Sequence, residues 1–364
     1  MPRSAKLAEF EAIAALERIF DDRASRRRAA QPSASRRGPR ERAAVELGIG
    51  DDAAVLKLPG RLVWTVDTAV EHVHFERAWL TLSDLGWRSF NAAASDVCAM
   101  AGRPLYALSS VIFPAQFSER ELSQLARGQQ AAARALGCAV VGGNLSRGAE
   151  LSVTTTVLGV SPQPLLRSGA KPGDELWLCG EVGLAGAGLR LLQHRSKLEV
   201  NARAAGAALR AFRRPAAQLA FGLALARRAH AAIDISDGLA GDAAHLAKAS
   251  GVRVVIDAAR LEAALSPALR ALAPALGVTA LDLALYGGED YALLAAGPMR
   301  MRPQGASVIG VVEAGEGVWV RSPESAASGA GRAGRTTRAR GAKLVRAGHG
   351  FEHGSGREPR RVGR

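Results

Sequence analysis

From Glu46 to about Val312 the chain alternates short β-forming runs with helical stretches, and acidic residues recur where the runs end. GIGDD closes on Asp51 and Asp52, WTVDT carries Asp67 and Thr68, and SDV carries Asp96. IDISDG carries Asp234 and Asp237, and GGED carries Glu289 and Asp290. Such alternation specifies helices packed on sheets, a class of fold that places its ligands beyond strand ends. The fold class read here is α/β (α+β) in two domains. A carboxylate in a Gly-containing turn is poorly placed for a core role, because a buried charge is costly unless paired or metal-bound. Taken singly, each Asp reads as a turn or cap residue. As a set they point to magnesium, a hard cation that takes a few carboxylates and completes its shell with water and phosphate oxygens. Several ions held this way would neutralise two anionic substrates brought together.

Local signals place these motifs on elements. Leu7, Phe10, Ile13 and Leu16 sit near helical spacing and predict an amphipathic helix to Phe20. Leu62–Asp67 reads as a strand. Thr81 and Asp84 resemble a capping box that opens a helix over Leu82–Met100, and Ser118 with Glu121 opens a second that Gly137 closes. Leu105–Phe113 reads as a strand, followed by Ala139–Val141, a Gly142-Gly143 turn and Leu151–Val160. The turn-rich RSGAKPGD, 167–174, marks a boundary. Beyond it come strands at Glu175–Cys179, Ala232–Ile235, Val252–Ile256, Tyr291–Ala295 and Ser307–Val312. Helices are expected at Leu184–Leu192, Pro215–Ala229, Leu239–Ala249 and Leu265–Leu276. Domain spans of 1–45, 46–162, 168–320 and 321–364 follow, the first a helix plus an Arg-rich insert and the last a Gly/Arg-rich tail.

Several function classes are excluded. Nothing matches GxxxxGK[ST], HExxH or a Ser-His-Asp order. Gly183, Gly186 and Gly188 ahead of Leu189 are explained as well by close helix packing as by a phosphate loop. No apolar run approaches the roughly 20 residues of a membrane span. Lys6 and Glu9 interrupt the start of the chain, which lacks the apolar core of a secretory signal. Cys98, Cys138 and Cys179 lie far apart, which argues against a disulfide framework or a zinc site and for a reducing cytoplasm.

The formal charge of +14 invites a nucleic-acid reading, so its location matters. Residues 330–364 hold ten Lys/Arg against two Glu, and residues 21–43 hold eight Arg against three acidic residues. Those two Gly/Ala/Arg-rich stretches carry nearly all of the excess and read as flexible segments. They offer electrostatic contact with nucleic acid or an anionic surface, with strong salt dependence. Nucleic-acid contact is therefore an alternative but not the favoured reading, and no membrane partner is expected.

GIGDDAAVL, TVDTAVEHVHF, SDVCAMAGRP, RSGAKPGD, AIDISDGL and YGGEDYALL, in this order and spacing, resemble the thiamine-monophosphate kinase family, within the superfamily of aminoimidazole-ribotide synthetase. The resemblance runs from about residue 7 to 313, apart from the Arg-rich insert. It implies a two-domain aminoimidazole-ribotide synthetase-like fold. The N-terminal ATP/Mg-binding domain would form a barrel across a homodimer, with the active site in the cleft between the domains. The implied reaction is in-line transfer of the ATP γ-phosphoryl to thiamine monophosphate, giving thiamine diphosphate and ADP, with several Mg2+ ions and no covalent enzyme intermediate. By motif, Asp52, Asp67, Asp96, Asp234 and Asp237 would ligate magnesium, with Thr65 contributing oxygens. Gly143, Arg167 and Ser236 would contact ATP, and His74 would meet thiamine monophosphate. Glu289 would meet its aminopyrimidine end, and Phe351, in GHGFEHG, would stack on thiamine. Three departures are visible, one being that the GHGFEHG tail lacks the family's usual final aromatic. Asn144 stands where the family has an Asp, keeping a carbonyl oxygen for ATP or metal but no charge. Val66 replaces a hydroxyl residue and offers only its backbone carbonyl to a metal. These keep a divergent, low-activity member as the alternative.

Overall fold

A computed structural model of the chain describes residues 16, 18–20, 44–47, 55–58, 60–194, 198–323, 338–339 and 342–347. Two predicted site residues, Asp52 and Phe351, lie outside the described residues. So does most of the predicted N-terminal helix, although 16 and 18–20 are helical and Phe20 is buried. Among the described residues, those up to Pro164 together with Arg213–Leu219 make one compact unit. Leu165–Phe212 and the residues from Ala220 onward make a second.

The first unit is a four-stranded sheet with two long helices. Its elements run β1 (Ala44–Leu47), β2 (Val55–Lys57), β3 (Leu62–Val70), α1 (Leu82–Ala99), β4 (Arg103–Phe113), α2 (Glu119–Leu136), β5 (Ala139–Arg147) and β6 (Ser152–Val160). The sheet order is β3-β6-β4-β5, with only the β4–β5 pair parallel, and β1 and β2 form a separate hairpin-like pair. Both predicted capping boxes are present. Thr81 and Ser118 each accept the N–H three residues on, and Asp84 and Glu121 accept the cap N–H in return. Gly137 closes α2 at φ 68, a left-handed turn that glycine adopts without strain. The two helices cross backbone to backbone. A Cβ on Gly86 would lie 2.0 Å from the Leu125 carbonyl, and one on Gly128 would lie 2.0 Å from the Ser83 carbonyl. Phe90, Ala93, Ala94 and Val97 of α1 seal this contact against Ala126, Ala132, Val140 and Val157.

Two local expectations change here. Gly142-Gly143 is not a turn, because β5 continues through it, with a register shift just before Gly142; a Cβ on Gly143 would lie 1.8 Å from the Ser109 carbonyl of the neighbouring strand. Nor is Pro215–Ala229 one helix. Residues 215–218 are in no helix and run beside α1, where the Trp87 indole donates to the Pro215 carbonyl and Asn91 accepts from the Ala217 N–H. Only α5 (Leu219–Leu225) is helical there.

The second unit is built from β7 (Glu175–Cys179), α3 (Leu184–Gln193), α4 (Ala202–Arg213), α5, β8 (Ala231–Ile235), α6 (Leu239–Ser250), β9 (Arg253–Asp257), α7 (Ala258–Ala264), α8 (Pro267–Leu272), α9 (Ala280–Tyr286), β10 (Ala292–Gly297), β11 (Ser307–Glu313), β12 (Gly317–Pro323), β13 (Arg338–Ala339) and β14 (Ala342–Arg346). Its mixed sheet runs β13-β14-β12-β9-β11-β7-β10-β8. Strands β8 and β10 are buried along their whole length, as their near-continuous apolar sequences require. The expected helix Leu265–Leu276 shortens to α8, with Ser266 as its cap and Pro267 at its first turn. The glycines of α3 serve packing: a Cβ on Gly186 would meet the Gly287 Cα at 2.7 Å, and one on Gly188 the Ala208 carbonyl at 2.3 Å.

Candidate active site

In the first unit, strand alternation decides which predicted residues can meet. Val63 is buried against α1, so Thr65 and Asp67 share its face, while Trp64, Val66 and Thr68 face the other way. Thr65 and Asp96, 31 residues apart, come together: the Thr65 hydroxyl donates to Asp96 Oδ2 at 2.6 Å. A hydroxyl on a carboxylate at that length is a charge-assisted bond that fixes the carboxylate rotamer. Asp67 Oδ1 accepts the N–H of Thr68 at 2.7 Å. Register then carries Asp67 across the sheet to Thr155, Ser109 and Gly143 in one row. Asn144 belongs to the next row, with Ser110, Thr154 and Thr68, on the opposite face. Its amide donates to Ser146 on that same face. Three strand spacings separate Asn144 from the strand of Asp67, about 14 Å, so within one chain these two side chains are not brought together.

His74 follows β3 in a tight loop. Its Nδ1 accepts the Val70 N–H at 3.2 Å, which leaves the ring proton on Nε2 as a donor. Its neighbour His72, exposed and left-handed at φ 66, has its pKa raised chiefly by the hydrogen bond to Glu76.

In the second unit the acidic residues crowd the end of β8. Asp234 is buried inside the strand at 6% exposure, and Ser236 and Asp237 follow at its end. A fourth residue, Asp242 in the first turn of α6, was not singled out from the sequence. Its Oδ2 accepts the N–H groups of Ser236 at 3.0 Å and Asp237 at 3.1 Å. Burial first, then the charges of Asp234 and Asp237, push the Asp242 carboxyl up to about 8, against those two hydrogen bonds. The signal for it was present five residues past Asp237, where an acidic residue in a helix first turn reads as an ordinary dipole partner.

The GGED turn grips this end. Gly288, Glu289 and Tyr291 all have left-handed backbones, at φ 68, 63 and 52. The Glu289 and Tyr291 N–H groups donate to the carbonyls of Ser236 and Ile235, at 2.7 and 2.8 Å. The Tyr291 hydroxyl donates to Glu289 Oε2 at 2.7 Å. Asp290 accepts the N–H of Gly183 at 2.7 Å and of Ala185 at 3.2 Å, supplying the cap that Gly183 lacks at the start of α3. Burial pushes the Asp290 carboxyl up to about 7. Arg167 has an exposed side chain, and its carbonyl accepts the Ser250 hydroxyl.

Among the described residues no three His, Cys, Asp or Glu side chains are already drawn into a metal cluster. The chemistry nevertheless fits a hard divalent cation. All donors are oxygens, and Asp234, Asp237 and Asp242 crowd the end of β8, where a cation would relieve their mutual repulsion. The thiols are poor nucleophiles by contrast: all three cysteines are buried, and burial pushes the Cys179 thiol up to about 12.

Residues 50–161 match the AIR synthase related protein N-terminal domain, and residues 171–321 match its C-terminal domain. A thiamine-monophosphate kinase from Aquifex aeolicus (strain VF5) is 34% identical over 75% of this chain and 88% of its own length. The chain belongs to the thiamine-monophosphate kinase family. Two solved structures agree with that membership. The thiamine-monophosphate kinase from Stenotrophomonas maltophilia K279a superposes with a TM-score of 0.71 at 31% identity, covering 86% of this chain and 97% of that one. AaThiL, complexed with AMPPCP and TMP, superposes with a TM-score of 0.68 at 34% identity, covering 71% and 83%. The superfamily fold expected of the motifs is thus the fold found, as two AIR-synthase-like domains of mixed α/β structure. No helix among the described residues is long and apolar enough to cross a membrane.

Proposed function

We propose that this chain transfers the γ-phosphoryl group of ATP to thiamine monophosphate, giving thiamine diphosphate and ADP with magnesium as the metal. The observation that carries the reading is family membership at 34% identity over 88% of a thiamine-monophosphate kinase. The AaThiL complex, which holds AMPPCP and TMP, supports a nucleotide triphosphate and a monophosphate as the two ligands.

The proposed division of labour follows from the donors. Asp67, Asp96 and the Thr65 hydroxyl hold magnesium in the first unit, together with Asp52 and the Val66 carbonyl. Asp234 and Asp237 hold it in the second, with Asp242 fixing the backbone of Ser236 and Asp237 from below. Magnesium, when bound, supplies charge neutralisation on the phosphates. The Arg167 guanidinium offers a planar fork of donors to the ATP phosphates, and Ser236 offers a hydroxyl to a phosphate oxygen. Gly143 brings a bare backbone to ATP. His74 presents Nε2–H to the phosphate of thiamine monophosphate, and the Glu289 carboxylate accepts from the aminopyrimidine. Phe351 stacks on thiamine. No side chain acts as a covalent nucleophile, because positioning and charge neutralisation carry this transfer. Asn144, on the opposite sheet face from Asp67, serves ATP or an ion other than the one Asp67 holds.

The homodimer reading has its own support. Leu62, Trp64, Val66, Leu108 and Ile112 share the outer sheet face of the first unit and are all exposed, Trp64 at 74%. An apolar face of that kind marks an association surface, and a second copy of the same sheet would cover it as a barrel.

The test is conversion of thiamine monophosphate by ATP with and without magnesium, in wild type, Asp96→Asn and Asn144→Asp. Magnesium-dependent product that Asp96→Asn abolishes is the expected outcome, and a gain in Asn144→Asp would mark the natural Asn as a lost ligand. Absence of product from folded wild type and from Asn144→Asp would sink the kinase reading.

A further inference from the structure

Tyr291 occupies a conformation that its side chain does not favour. A bulky residue at positive φ is an outlier, and such strain persists only where surrounding structure fixes it. Here the fixing contacts are on both sides. The Tyr291 and Glu289 N–H groups are tied to the carbonyls of Ile235 and Ser236. Asp290, between them, is tied to the start of α3. Gly288 cannot carry a side chain, because its Cβ would sit 2.9 Å from the Ser236 carbonyl. The turn is therefore held at three points that do not involve the Tyr291 ring. The ring itself is buried, and its hydroxyl is spent on Glu289 Oε2 at 2.7 Å.

We infer that Tyr291 is a positioning residue for the thiamine end of the substrate: its phenol locks the Glu289 carboxylate in the orientation that accepts the aminopyrimidine N–H. This inference rests on the proposed function. A glutamate has three rotatable side-chain bonds, and ordering them on binding is a cost that prior fixation removes. The phenol takes one carboxylate oxygen and so sets the plane in which the carboxylate meets a planar amino-heterocycle. The predicted contribution is to the affinity for thiamine monophosphate alone, because ATP and the phosphoryl transfer use other residues.

The experiment is steady-state kinetics of Tyr291→Phe, Glu289→Gln and the double variant, each checked by thermal melting. An analogue of thiamine monophosphate with hydrogen in place of the exocyclic amine is included. Tyr291→Phe should raise KM for thiamine monophosphate about five- to tenfold, the net worth of one ordinary hydrogen bond, with kcat and the KM for ATP little changed. The double variant should be no worse than Glu289→Gln, and the analogue should be indifferent to Tyr291→Phe. An unchanged KM for thiamine monophosphate, parallel rises in both KM values, or additive losses in the double variant would overturn the inference. So would failure of Tyr291→Phe to fold, which would assign the bond to stability. Wild type without activity, or Glu289→Gln with a normal KM, would instead be a failure of the underlying functional reading.

Discussion

Gly86→Ala sets a general rule against one contact. In a helix interior alanine is better than glycine by about 1 kcal/mol, so the rule predicts a gain. At this position the new methyl would lie 2.0 Å from the Leu125 carbonyl oxygen, 2.9 Å from the Gln129 nitrogen and 3.0 Å from the Leu125 carbonyl carbon. A relaxed carbon–oxygen contact needs about 3.3 Å, so α1 and α2 must part by about 1.3 Å. Every atom struck is backbone, so no rotamer change relieves the overlap. Parting the helices by that much forfeits about half of the dispersion along their seam, at the top of the usual overpacking range of about 1–3 kcal/mol or beyond it. After the propensity gain, a net loss of about 2–3 kcal/mol remains. For a unit of this size that lowers the melting temperature by about 4–12 °C. Gly206→Ala in α4 is the control, since its Cβ would meet only the flexible Arg210 guanidinium at 3.5 Å. Differential scanning calorimetry of both variants decides the matter. Gly86→Ala melting at or above wild type would refute the backbone crossing. Because α1 carries Asp96, the same displacement should weaken the Thr65–Asp96 bond and reduce kinase turnover.

Asp290 gives a pH test. Its folded value of about 7 lies above the ordinary 3.8, so the folded chain keeps a proton that the unfolded chain releases. Its contribution should therefore make stability fall as pH rises from about 4 to 7 and level off above. The melting difference between wild type and Asp290→Asn should change over that window; a constant difference would contradict the reading. Trp64→Glu puts a charge on the exposed sheet face and should shift sedimentation from dimer to monomer, and an unaltered profile would place the association surface elsewhere.

The sequence carried its local grammar into the structure where one residue settled the matter. The T-x-x-D and S-x-x-E pairs are capping boxes as read, and Gly137 ends α2. The readings failed where a distant partner decided. Gly142-Gly143 has turn composition, yet the Ser109 carbonyl makes glycine a packing requirement inside a strand. Pro215–Ala229 has helical composition, yet Trp87 and Asn91 hold its first residues outside any helix. The site divides the same way. Spacing identified the acidic residues, but no spacing reveals that Thr65 would reach Asp96, or that Asn144 would face away from Asp67. Asp242 was hidden because its role is to hold two backbone N–H groups, which leaves no motif of its own.

The first unit closes on itself only by borrowing Arg213–Leu219 from much later in the chain. During synthesis, therefore, its sheet and both helices emerge while the Trp87 indole N–H and the Asn91 Oδ1 still lack their late partners, and they wait while Leu165–Phe212 of the other unit is made. A fragment cut at Pro164 would be stranded at that stage, with the flank of α1 uncovered, so the two units share one folding timetable although each has its own core.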